Sequence, residues 1–192
     1  LNSITISFRI SLFCSNFAFK MNNKGNISDQ KAPLLPVIIG TGFGSGFWPW
    51  GPGTAGSVLA GIIWVGLAYV VPIAALEAFT VALILLFSVL GVWATAKLMP
   101  MWGEDPSRVV VDEMVGQWTA LLAAPFFEIE NRIWMALAAL VLFRFFDIVK
   151  PLGIKRLDRK TGAFWVIADD LLGGLYALIV LSIIGNIPGW VI

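Results

Sequence analysis

Apolar positions along this chain come in long runs rather than in alternation, and the ionisable residues collect in short intervals between the runs. From Thr54 to Ala96 the only charge is Glu77, and Pro72 breaks the run near its middle. A bilayer is crossed by about 20 apolar residues, so this pattern predicts two spans joined by a tight turn. Met114 to Phe127 is apolar but short and is ended by Pro125, which predicts a tilted or partly protein-buried helix. Ile133 to Ile148 predicts a further span. Leu171 to Ile192 carries no charge and predicts the last, with Gly173 and Gly174 allowing close approach of another helix. The expected fold is all-α, a polytopic membrane helical bundle of about four to five spans.

The polar intervals hold the candidate chemistry. Residues 40–57 are so rich in glycine and proline that a regular helix is excluded through most of the stretch. Gly-rich turns that open onto a helix N-terminus can cradle phosphate through backbone N–H groups, which makes Thr41 and Ser45 candidate substrate-binding residues. No Lys follows the final glycine, so this is not a P-loop. The alternative role is a re-entrant interfacial loop anchored by Trp48 and Trp50. In the interval from Met99 to Val111, Asp105-Pro106 predicts a helix start that puts Arg108 and Asp112 on one face at i,i+4, beside Glu113. In the third interval one apolar segment ends in Arg144, Asp147 and Lys150, and the next begins at Asp169 and Asp170. A basic loop from Ile154 to Lys160, containing Arg156, separates them.

Composition narrows what these groups can do. With 58% apolar and 13% charged residues and a mean hydropathy of +0.86, the chain falls outside the range of ordinary soluble domains. A net charge of +1 with interleaved signs gives no nucleic-acid footprint. There is no histidine, and Cys14 is the single cysteine, so His-based bases, His zinc sites and internal disulfides are excluded. Carboxylates, hydroxyls, Lys, Arg and a bound metal remain.

One carboxylate at a helix start is enough to complement the dipole. Asp112-Glu113 and Asp169-Asp170 place two at each of two predicted starts, with Asp147 as a fifth, and these would repel one another if they converged without a cation. Asp112, Glu113, Asp169 and Asp170 are therefore candidate metal ligands, and an all-oxygen set beside a phosphate points to Mg²⁺. Arg144 lies inside the apolar pattern one turn before Asp147, and its partner is either Asp147 or a substrate phosphate. The loop cations also have a simpler role, in topology and in attraction to anionic lipid headgroups. Glu104 and Asp158 read as solvated loop charges.

Residues 1–37 read as an extension outside the domain, which spans 38–192. The chain begins without Met, and the patch before Met21 makes a poor signal peptide because Ser15-Asn-Phe17 is a weak cleavage site. A translation start at Met21 fits better, and residues 1–31 are expected to be poorly ordered.

Three blocks together resemble the phosphatidylglycerophosphatase A proteins of bacterial membranes. They are the stretch from Gly42 to Gly56, the stretch from Asp105 to Gly116, and Phe143-Arg-Phe-Phe-Asp-Ile-Val-Lys-Pro151 continuing to Leu157-Asp-Arg-Lys and Asp169-Asp-Leu-Leu-Gly-Gly174. The chain departs from the family pattern at Thr161 to Trp165 and at Gly51. The resemblance implies Mg²⁺-dependent removal of the terminal phosphate of phosphatidylglycerol phosphate at an inner membrane. It implies an acidic set of Asp112, Glu113, Asp147, Asp169 and Asp170 and a basic set of Arg108, Arg144 and Lys150. The expected catalytic residues are Asp112, Glu113, Arg144, Asp147, Lys150 and Asp170, with Thr41, Ser45, Arg108, Lys150 and Arg156 on the substrate. Lys and Arg counted in the loops put the three polar intervals on one side, the cytoplasmic one by the positive-inside rule. The rival readings are a phospholipid-building transferase, whose spaced Asp signature is absent, and a small transporter or lipid-binding scaffold, which would place ionisable groups near the midplane.

Overall fold

A computed structural model describes residues 32–124, 131–151 and 153–187, apart from the side chains of residues 73 and 74. The expectations for residues 1–31, for Pro125 and the turn with Glu128 and Glu130, and for the last five residues of the chain lie outside the described residues. The described residues form seven α-helices and no strand. These are α1 (Leu34–Gly40), α2 (Pro52–Val70), α3 (Ile73–Trp102), α4 (Val111–Leu121), α5 (Arg132–Val149), α6 (Ile154–Asp158) and α7 (Ala163–Gly185), with a 3-10 turn at Ser45–Phe47 between α1 and α2.

Local chemistry sets the boundaries. Gly51, with φ of 136°, precedes Pro52 at the first turn of α2, where a missing N–H costs nothing. Pro72 closes α2 and opens α3, as the sequence predicts. At 30 residues, α3 is about 45 Å long. It runs through Pro100 and stops only at Gly103, whose φ is 101°, so the helix extends into the polar interval that begins at Met99.

Among the described residues, three helices are long and apolar enough to cross a membrane: Pro52–Val70, Ala75–Trp102 and Ala163–Gly185. The 18 residues of α5 reach about 27 Å, nearly a bilayer core, but this helix also carries Arg132, Arg144 and Asp147. At 11 residues, α4 is too short to cross. Every one of its residues except Glu113 is buried, and it packs against α2, α3, α5 and α7. This is an all-α membrane bundle built around a short inner helix.

Such a helix must satisfy its polar groups within the protein, since lipid offers no hydrogen bonds. The Trp118 indole donates to Ala60 O at 3.0 Å, and the Thr119 hydroxyl donates to Val115 O at 2.8 Å. The approach of α4 to α7 depends on glycine. A Cβ on Gly116 would run into the Phe143 ring and lie 2.8 Å from Asp170 O, and one on Gly174 would lie 2.8 Å from Thr119 Cβ and strike Gly116 O.

Two further boundaries differ from expectation. No helix starts at Asp105-Pro106, because the Val110 N–H donates to Gly40 O at 2.8 Å and Val110, at φ −138° and ψ 11°, is not helical. The Gly-rich segment thus holds this stretch out of helix, and α4 begins at Val111. The last span begins at Ala163 rather than at Leu171, so Asp169 and Asp170 lie well inside α7 and leave its first turn without an acidic residue.

Overpacking of a tight core costs about 1–3 kcal/mol, and Gly116→Ala is expected to lose at least that much. Gly66→Ala, whose Cβ would meet nothing within 4 Å, should be neutral. Thermal unfolding in detergent checks both.

Candidate active site

Asp112 and Glu113 occupy the first turn of α4, Arg144 and Asp147 the last turns of α5, and Asp169 and Asp170 the second turn of α7. Asp112 and Gly116 share a face of α4 at i,i+4, as do Asp170 and Gly174 on α7. The glycine contact between the two helices therefore brings the two carboxylates together one turn further on. Asp112, Glu113 and Asp170 each offer a carboxylate oxygen within 4.8 Å of the others. Asp112 and Asp170 are buried, at 8% and 5% exposure. Asp112 Oδ1 and Glu113 Oε2 have no hydrogen-bond partner among the described residues.

Burial pushes the Glu113 carboxyl up to about 7, with the Asp170 charge adding to the effect and Arg144 offsetting it. The Asp112 carboxyl is raised as well, by burial and then by the Glu113 charge. Both groups lie on α4, outside the spanning helices. A cation among them would reverse this pressure by favouring the ionised forms.

Arg144 borders the trio. Its Nη1 lies 2.7 Å from Asp147 Oδ2 and 3.9 Å from Glu113 Oε1. The Asp147 contact is an ion pair without hydrogen-bond alignment, for Nε and Nη1 are buried with no hydrogen-bond partner. Of the two partners raised by the sequence, Asp147 is the one in contact, and it holds the guanidinium at the edge of the trio.

Asp169 faces elsewhere. Adjacent helical residues point about 100° apart, and Asp169 accepts a hydrogen bond from Lys150 Nζ at 3.1 Å instead of joining the trio. Lys150 also pairs with Asp158, which is engaged here rather than simply solvated. Burial opposes the charged form of Lys150, but the hydrogen bonds to Asp158 and Asp169 outweigh it and hold its pKa above the ordinary lysine range. Lys150 is the left-handed C-cap of α5, with φ of 45°.

The other candidates are placed apart. Thr41 is fully buried, donates to Val37 O at 2.6 Å and accepts from the Gly44 N–H. The Ser45 hydroxyl donates to Gly42 O at 2.9 Å. Both hydroxyls are employed in shaping the turn. Arg108 is exposed on the segment before α4, its guanidinium 5.9 Å from the centre of the Phe47 ring, and Arg156 is exposed on α6. Gly53, which the sequence did not single out, lies against both Glu113 and Arg144. A glycine at the start of a helix that follows a Gly/Pro-rich loop is its only sequence signal.

A membrane helical bundle with buried carboxylates gathered beside an arginine paired to Asp147, at one end of its spans, has the makeup of a membrane phosphatase. The family model described as Phosphatidylglycerophosphatase A matches residues 38–185, and the chain belongs to that family. A Bacteroides thetaiotaomicron protein named "Putative phosphatidylinositol-3-phosphatase" is 51% identical over 80% of this chain and 96% of its own length. Proteins named Phosphatidylglycerophosphatase A from Haemophilus influenzae and Escherichia coli are 38% and 32% identical. They cover 79% and 78% of this chain and 90% and 83% of their own lengths. No solved structure matches. The chain is thus a phosphatase; the relatives' names agree on that activity and differ in the lipid.

Removing Lys150 strands a buried Asp169 carboxylate, and an unpaired buried group costs about 1–3 kcal/mol. Lys150→Met is expected to lower stability by that amount. Adding Asp169→Asn should recover at least half of it, as read by thermal unfolding in detergent.

Proposed function

We propose that this enzyme hydrolyses the terminal phosphate monoester of phosphatidylglycerol phosphate, giving phosphatidylglycerol, with Mg²⁺ as cofactor at the cytoplasmic face of a bacterial inner membrane. The observation that carries this reading is the trio of Asp112, Glu113 and Asp170, with both aspartates buried, beside the Arg144 guanidinium, whose Nη1 lies 3.9 Å from Glu113 Oε1. One side of the site suits a hard cation and the other suits a phosphate.

The donor set fits Mg²⁺: all three candidate ligands are carboxylates, and two of their buried oxygens lack partners. When bound there, the ion would polarise a phosphoryl oxygen. Arg144 binds the transferring phosphoryl group and stabilises its charge. Asp147 orients Arg144 through the pair at i,i+3. Lys150 adds positive charge at the same end, and Asp169 positions it. The positive-inside rule supports the assigned face. Lys97, Arg108, Lys150, Lys155, Arg156, Arg159 and Lys160 all belong to the site end of the helices, whereas Arg132 opens α5 at the opposite end. Exposed Trp48 and Trp50 suit headgroup depth on the same side.

A second substrate reading, phosphatidylinositol 3-phosphate, is favoured by the name of the relative that is 51% identical. Both lipids present a phosphate monoester, and the site geometry serves either.

Phosphate release by detergent-purified protein tests both readings. With phosphatidylglycerol phosphate, release is expected with Mg²⁺, to be abolished by chelator and to be restored by added Mg²⁺. Asp170→Asn should bring it near background without loss of fold, and Arg144→Gln should lower kcat roughly 10²–10³-fold, the usual effect of losing one charge-stabilising donor. Preferential release from phosphatidylinositol 3-phosphate would move the substrate assignment. Metal-independent release would remove the cation from the reaction.

A further inference from the structure

We propose that Gly53 is a positioning residue of this enzyme: by having no side chain, it lets the Glu113 carboxylate rest against the first turn of α2 and so sets the spacing of the Asp112, Glu113 and Asp170 trio. The inference rests on the cation reading of that trio and adds a residue from a different segment of the chain. A Cβ built on Gly53 would collide with Glu113 Oε1, and would lie 2.9 Å from Glu113 Cδ and 3.0 Å from Arg144 Nη1. Real Cβ atoms essentially never come that close, so a side chain here forces a movement.

The surroundings decide what moves. The Ser57 hydroxyl donates to Gly53 O at 3.0 Å within the protein interior, which fixes the backbone of this turn. One turn further along, a Cβ on Gly56 would lie 2.8 Å from Val110 Cβ and 2.9 Å from Val110 O, so α2 is also seated against the segment that leads into α4. The backbone is held from both sides. Glu113 and Arg144, by contrast, meet Gly53 with the far ends of flexible side chains. A methyl group at residue 53 would therefore displace the Glu113 carboxylate and the Arg144 guanidinium and leave the fold in place. Asp112 Oδ1, buried and without a partner, would lose the neighbouring oxygen with which it can share a cation.

Isothermal titration of Mg²⁺ into the detergent-purified full chain tests this without relying on activity, with thermal unfolding in chelator read alongside. Gly53→Ala is expected to weaken Mg²⁺ binding at least tenfold while the unfolding midpoint in chelator stays close to that of the unaltered protein. Gly61→Ala on the same helix, where a Cβ meets nothing within 4 Å, should bind as the unaltered protein does. Retracting the carboxylate by one methylene should restore room, so Gly53→Ala combined with Glu113→Asp is expected to bind more tightly than Gly53→Ala alone. Unchanged Mg²⁺ affinity in Gly53→Ala would overturn the positioning role and leave the cation reading standing. No binding by the unaltered protein would overturn both. If Gly53→Ala fails to fold, restoration of fold and binding by Glu113→Asp supports the contact, and failure of the pair to fold overturns it.

Discussion

Helix α4 can lie among four neighbours only because Gly116 and Gly174 let two backbones meet. A larger residue at either place would meet backbone or a buried ring, and the inner helix would be pushed away from α7. Close approach through small residues is a general device of helices in lipid, where burying apolar surface gives little advantage over contact with acyl chains. Here it also fixes register. The carboxylates one turn from each glycine are carried into proximity by the same contact, so the packing of the bundle and the geometry of its acidic site have one cause.

The Gly-rich segment does comparable work at the other side of the site. Its two hydroxyl candidates, Thr41 and Ser45, are consumed by its own turns, and its backbone binds the chain ahead of α4 through Gly40 and Val110. Glycine density that reads in the sequence as a phosphate cradle also serves close docking of backbone on backbone. Two neighbouring carboxylates on α7 are likewise separated by helical geometry: Asp170 turns to the trio and Asp169 to Lys150. Each basic group beside the trio is held by an acidic one, Arg144 by Asp147 and Lys150 by Asp169 and Asp158.

The all-α membrane bundle was legible because span length and apolar composition are properties of contiguous sequence, and Pro72 marked a boundary that a missing N–H enforces. Asp112 and Glu113 at a helix start were legible for the same local reason. The start of α7 was not. Charge marks where a chain leaves apolar surroundings, whereas a helix continues as long as its backbone bonds are made, so Asp169 and Asp170 signalled an edge of the apolar run that is not an end of the helix. The segment after Asp105-Pro106 was misread because its partner, Gly40, is distant in sequence. Gly53 was invisible for a deeper reason: its contribution is an absence of atoms, and only the neighbours that fill the space reveal it.

The carboxylate cluster sits at one end of the spans, with α3 extending about 45 Å through a hydrocarbon layer of about 30 Å. A lipid whose headgroup enters such a site can keep its acyl chains in the leaflet throughout. Encounter is then a two-dimensional process, set by the lateral diffusion and surface density of the lipid in the membrane plane, and the work of lifting a hydrocarbon tail into water never enters the cycle.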